Sequence, residues 1–155
     1  MTSHVGVEPG EAFDLFTREV DLWWQRGPRF RPCRKRDGTM RFEPGVGGRF
    51  LEVYDEAGDD HFVIGRVLVW EPAVRLAFEW RANSFEPHET TQVEIRFEAS
   101  EGGTRVILEH RGWDQLPPDH AVRHGLSGPA FTQMIGLWWA DLLIAARAHA
   151  ARAPE

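Results

Sequence analysis

The chain has 155 residues, 42% of them hydrophobic and 27% charged, which is enough apolar side chain for a core and excludes the disordered class. Its net charge of −6 argues against non-specific binding to nucleic acid. One cysteine, Cys33, excludes an internal disulfide framework. The opening MTSHVGVEPGEAF has no basic stretch followed by an apolar run, so it does not read as a signal peptide. No apolar run approaches the ~18 residues of a membrane helix. A cytoplasmic protein is expected, with neither nucleic acid nor membrane among its partners. Without repeats or low-complexity linkers, residues 1–155 read as one domain.

In chain order, His4 to Val7 is a short strand candidate. Pro9 suits the first turn of a helix, and Ala12, Phe13, Phe16 and Val20 follow at helical spacing. Trp23 and Trp24 end that helix, and Gly27 with Pro28 stops it. Residues 26–36, RGPRFRPCRKR, form a basic loop. Met40 and Phe42 alternate with Arg41 and Glu43, and EPGVGGRF carries a glycine-punctuated turn. Strands then follow at Phe50–Tyr54, His61–Trp70, Leu76–Trp80, Val93–Phe97 and Arg105–Arg111, with turns at AGDD and SEGG. Such a run of strands with no helix between them implies an antiparallel meander with one solvated and one buried face. After a connecting segment, 113–126, Phe131, Ile135, Trp138, Leu142 and Ala145 recur at helical spacing, and Met134, Trp139 and Leu143 widen the stripe. This predicts a C-terminal helix of about 22 to 25 residues, roughly 33 to 37 Å long, the one large element able to cover the sheet.

Several segments resemble a known family. GRVLVWEPAVRLAFEW, residues 65–80, is similar to a pattern of the AHSA1-like (activator of Hsp90 ATPase homologue) family, within the START-like (SRPBCC) superfamily; the matching positions are Gly65, Glu71, Pro72, Arg75, Leu76 and Trp80. GVGGRF resembles the family's glycine hairpin, EAFDLFTREVDLWW its first helix and tryptophan pair, GGTRVILEHRGW its last strand, and GLWWADLL its long helix. The resemblance implies an α+β helix-grip fold, in which a curved antiparallel β-sheet wraps around the long C-terminal α-helix and leaves a cavity between them. It implies little about activity, because the superfamily holds lipid carriers, polyketide cyclases and co-chaperone domains.

Seven Trp and ten Phe in so short a chain either thicken the core or wall such a cavity. The candidate lining is Trp23, Trp24, Phe78, Trp80, Phe97, Met134, Trp138 and Trp139, with His110 as a polar tip. His110 follows Val106 and Leu108 on the apolar face of its strand, where it would orient a ligand, move a proton or simply fill the core. Glu52, Arg66 and Glu79 have no settled face. The basic loop would grip an anion or lie solvated, with Phe30 as a stacking ring. His120 and His124 have i, i+4 spacing, but HAVRH lacks the glutamate of HExxH, and no metal is expected. No GxSxG elbow is present. Cys33 among basic neighbours would favour thiolate, but it has no sequence partner that would make it catalytic.

The reading is therefore a binding domain for a small apolar or aromatic molecule, with no cofactor. A cyclase- or aromatase-like enzyme in the same cavity and an Hsp90-activator-like interaction module are the alternatives, and a homodimer is an open state.

Overall fold

The structure, a computed structural model, describes residues 1–32 and 36–152. The expectations for Cys33, Arg34 and Lys35 lie outside the described residues. The elements are β1 (Thr2–Val5), α1 (Pro9–Thr17), α2 (Val20–Trp23), β2 (Thr39–Phe42), β3 (Arg49–Val53), β4 (His61–Glu71), β5 (Arg75–Trp80), β6 (Thr91–Ser100), β7 (Gly103–Arg111) and α3 (Gly128–Ala151), with 3-10 turns at Trp113–Gln115 and Ala121–Arg123. All strand pairs are antiparallel in the order β1-β7-β6-β5-β4-β3-β2. Strands β2 to β7 form the predicted meander, and β1 closes onto the free edge of β7. This is the helix-grip α+β fold: a curved sheet around a long C-terminal helix.

The period-two pattern explains the faces. In β6, Thr91, Val93, Ile95 and Phe97 are buried, while Gln92, Arg96 and Glu98 are exposed. In β7, Thr104, Val106 and Leu108 are buried and His110 continues the same row. On the solvent face, Glu94 receives Arg75 at 3.1 Å and Arg111 at 3.2 Å, a cross-strand charge ladder of small energetic weight. α3 presents Phe131, Trp139, Leu142, Leu143, Ala146 and Ala150 to the core. α1 adds Phe13 and Phe16, which meet Phe97 at 5.5 and 5.8 Å between centroids.

Two local features differ from the sequence expectation. The first strand begins at Thr2 rather than His4 and ends before Gly6, because Thr2 to Val5 pair with Ile107 to Thr104 and the Met1 amino group donates to Leu108 O. The single helix expected through Trp24 is broken in two. The Thr17 hydroxyl donates back to Phe13 O, and the Glu19 amide reaches Asp14 O at 3.1 Å, widening the turn before α2 begins at Val20. That break re-aims the tryptophan pair. Trp23 turns back on α1, donating to Leu15 O, whereas Trp24 points toward α3.

Curvature comes from register shifts at Phe50/Leu51 and Val67/Val69 and from Gly65. A Cβ on Gly65 would overlap the Glu79 carbonyl, so the β5 backbone closes on β4 only because no side chain stands there. Gly65→Ala should therefore destabilise the fold by ~1–3 kcal/mol, read as a lower urea midpoint with an unchanged m-value.

Candidate functional site

α3 is anchored to the sheet by a directed hydrogen-bond chain. The Trp139 indole can only donate, and it donates to His110 Nδ1 at 2.9 Å. Nδ1 is therefore unprotonated, and Nε2–H donates to Thr91 Oγ1 at 2.7 Å. The Thr91 hydroxyl in turn donates to Trp80 O at 2.9 Å. Both nitrogens of His110 are thus engaged, and the ring is held neutral in one tautomer. Burial pushes its pKa down to about 3.

Beside this chain lies a pocket of about 340 Å³. Rings from four parts of the chain form its wall. Trp138 meets Trp24 at 5.9 Å, Trp80 at 5.7 Å and Phe30 at 5.7 Å, and Trp80 meets Trp113 at 6.0 Å. Ile64, Met134 and Ile135 add aliphatic surface, and residues 81–84 with Ala121, Val122 and His124 extend the wall. Those last two segments are joined through residues 85–89: His120 Nε2 contacts Glu89 Oε1 at 2.9 Å, and the Phe85 and His120 rings lie 4.8 Å apart. The Glu86 backbone N–H holds the Glu89 carboxyl below its ordinary pKa. A second depression, about 620 Å³, lies between residues 88–92 and 111–117, and its described wall has no Trp, Phe or Tyr.

The basic loop enters the pocket through Arg31. Its guanidinium is fully buried, contacts Glu52 at 3.2 Å and Asp21 at 3.3 Å, and donates to the carbonyls of Trp24, Gln25 and Gly38. Glu52, also fully buried, accepts further from the Gly38 amide and the Tyr54 hydroxyl. Asp21 accepts the Met40 amide. This network fixes Pro28 to Pro32 as one wall of the pocket. The other described cations of the loop are paired: Arg26 with Asp21, Arg29 with Asp141 and Arg36 with Asp60.

Of the nine residues singled out from the sequence, the pocket brings together Trp24, Trp80, His110, Met134 and Trp138. Trp23, Phe78, Phe97 and Trp139 pack in the core: Trp23 against Phe16, Phe78 against Phe42 and Phe50, Phe97 against Phe13, and Trp139 beneath His110. Sequence reasoning missed Trp113, Arg81 and the 121–124 segment as wall residues. Trp113 had a signal in Gly112, whose φ of 95° turns the chain sharply out of β7. Arg66 is exposed and Glu79 half-buried. His120 and His124 flank a 3-10 turn rather than sharing a helical face. Among the described residues, no group of three His, Cys, Asp or Glu side chains is placed to hold a metal ion. No described helix is long and apolar enough to cross a membrane.

The sequence matches the family model "Activator of Hsp90 ATPase homolog 1-like protein" over residues 7–134. Among solved structures, the chain is similar to an AHSA1-like protein from Aeromonas hydrophila (16% identity, 100% of this chain and 95% of that one, TM-score 0.62). An HSP90 activator from Plasmodium falciparum is also similar (16%, 93% and 89%, TM-score 0.61), as is the Aha1 dimer from Colwellia psychrerythraea (15%, 95% and 90%, TM-score 0.58). At these identities the likeness concerns the fold. Among proteins of curated function, none matches the sequence significantly.

Two outcomes follow from the geometry. Arg31→Met strands the buried Glu52 carboxylate, since Asp21 keeps Arg26 and the Met40 amide, and should cost ~3–5 kcal/mol in denaturant unfolding, much of it recovered when Glu52→Gln is added. For His110, the folded pKa of about 3 lies below the unfolded value near 6.5, so the unfolded state takes the proton first. The stability this ring contributes is complete above about pH 6.5 and is lost as pH falls toward 3, by ~2 kcal/mol at pH 5. His110→Gln should remove that acid-dependent component, and NMR should show the wild-type ring neutral down to about pH 4.

Proposed function

The chain belongs to the family of Activator of Hsp90 ATPase homolog 1-like proteins, and on that premise we propose that it is a small-molecule-binding member, taking an apolar or aromatic ligand of modest size between the sheet and α3. One observation carries this reading: a pocket of about 340 Å³ whose wall is built around five aromatic rings. Rings in a wall supply large apolar contact area, and their edges and faces accommodate a flat guest. The loop clamped by Arg31 and the loop joined through His120 keep the wall formed without a ligand, which lowers the ordering cost of binding.

A cyclase- or aromatase-like reaction has less support. His110 has no nitrogen free for proton transfer, and no Asp or Glu stands in the described wall. The interaction-module reading keeps one observation of its own. Leu137 and Ile144 are both exposed and lie seven residues apart on one side of α3, a surface that would suit an Hsp90-type partner or a second copy of the chain.

The neutral fluorophore phenylnaphthylamine should bind saturably at one site per chain and quench tryptophan emission. Met134→Trp, which adds a ring inside the pocket, should weaken binding at least about tenfold. Trp70→Ala removes a ring that packs on Phe13 and Phe42 away from the pocket, and should leave the affinity unchanged. A probe that fails to saturate, or that responds equally to both changes, would dispose of the pocket reading.

A further inference from the structure

Three buried side-chain nitrogens lack a hydrogen-bond partner among the described residues, and two of them, Arg81 Nε and Trp113 Nε1, belong to residues in the wall of this one pocket. Both are N–H groups that can only donate. Buried donors of this kind are nearly always satisfied, so a pair left without an acceptor among the described residues of one wall leaves room for an acceptor brought by a ligand. Among the described residues Arg81 has no ion-pair partner either, unlike the other wall arginines: Arg29 is bound to Asp141, and Arg31 is enclosed by Glu52, Asp21 and three carbonyls. The charge of the described wall points the same way. It holds three arginines and no carboxylate, and of the three only Arg81 lacks an ion-pair partner among the described residues, in a chain whose net charge is −6.

From these observations we infer that the pocket takes an organic acid: an apolar or aromatic body packed among Trp24, Trp80 and Trp138, with a carboxylate or similar oxyanion received by Arg81 and the Trp113 N–H. The inference rests on the pocket reading above and adds the ligand's charge to it. Position supports the division of labour. Arg81 directly follows Trp80, and its amide is held by Ile64 O at 3.0 Å, so the guanidinium stem starts from a fixed point at the end of β5. The Trp113 ring is packed between His110, at 4.3 Å, and Phe131, at 5.1 Å, so its N–H direction is set before any ligand arrives. The negative field of the whole chain opposes an anion, so any preference for one must come from the wall itself.

The test compares two probes that share one ring system: anilinonaphthalene sulfonate, an anion, and its neutral parent phenylnaphthylamine. The anion should bind tighter by about ten- to a hundredfold at low salt, as a charge-assisted hydrogen bond in a desolvated site provides, and salt should erode the difference. Arg81→Met should abolish the anion's advantage, bringing the ratio of the two affinities to about one. Arg81→Lys should restore part of the preference, and Trp113→Phe should lower it without abolishing neutral binding, each variant first checked for a cooperative melt. Equal affinities for the two probes, or a preference that survives Arg81→Met, would overturn the inference while the pocket stands. Failure of both probes to bind would overturn the pocket and the inference together.

Discussion

The buried charge cluster of Arg31, Glu52 and Asp21 is the constraint on which much of the site depends. A guanidinium and a carboxylate removed from water are costly unless each lone pair and each N–H finds a partner. Here the partners come from α2, the basic loop, β2 and β3 together: the carbonyls of Trp24, Gln25 and Gly38, the amides of Gly38 and Met40, and the Tyr54 hydroxyl. The cluster can be satisfied only in one arrangement of those segments, so it converts a proline-rich loop into a fixed wall. A loop that was merely basic and solvated would leave Trp24 and Trp138 facing open water.

The second constraint works from the opposite side. Trp139, His110, Thr91 and the Trp80 carbonyl form a one-directional chain that sets the rotation of α3 about its own axis. With Trp139 pinned beneath His110, Trp138 falls at the helix edge, where its N–H reaches Arg29 O at 2.7 Å and its ring faces the pocket. The two clamps thus meet at Trp138. One holds the loop that Trp138 donates to, and the other holds the helix that carries it. His110 serves here as a structural joint, and the same burial that keeps it neutral makes it an acid-sensitive one.

The electrostatic layout separates a negative chain from a cationic pocket. Carboxylates gather on the solvent face of the sheet, where Glu94 and Glu109 ladder with Arg75, Arg96 and Arg111. Among the described residues of the pocket wall, arginine and histidine are the only ionisable types. Two of its arginines are neutralised by ion pairs, while Arg81 has no such partner among the described residues, which gives the apolar space one polar end.

Much of the fold was legible because it depends on short-range periodicity. Alternation in β5 to β7, the stripe of α3, and Gly65 ahead of an apolar strand are local patterns, and each has one economical placement. The site was less legible. The shift at Phe50/Leu51 breaks the period-two rule just before Glu52, so no sequence pattern could assign that carboxylate a face. Arg31 is buried by partners ten and twenty-one residues away, which nothing in its own neighbourhood announces. The division of the candidate tryptophans between core and pocket followed from the break before α2, which turns Trp23 and Trp24 apart, and from the rotation of α3, which separates Trp138 from Trp139. By itself, the sequence determined the elements, their order and the antiparallel grip, because apolar periodicity acts along the chain. Which rings face a space, and which N–H groups there lack an acceptor, the tertiary structure alone decided, because both depend on contacts between segments far apart in sequence.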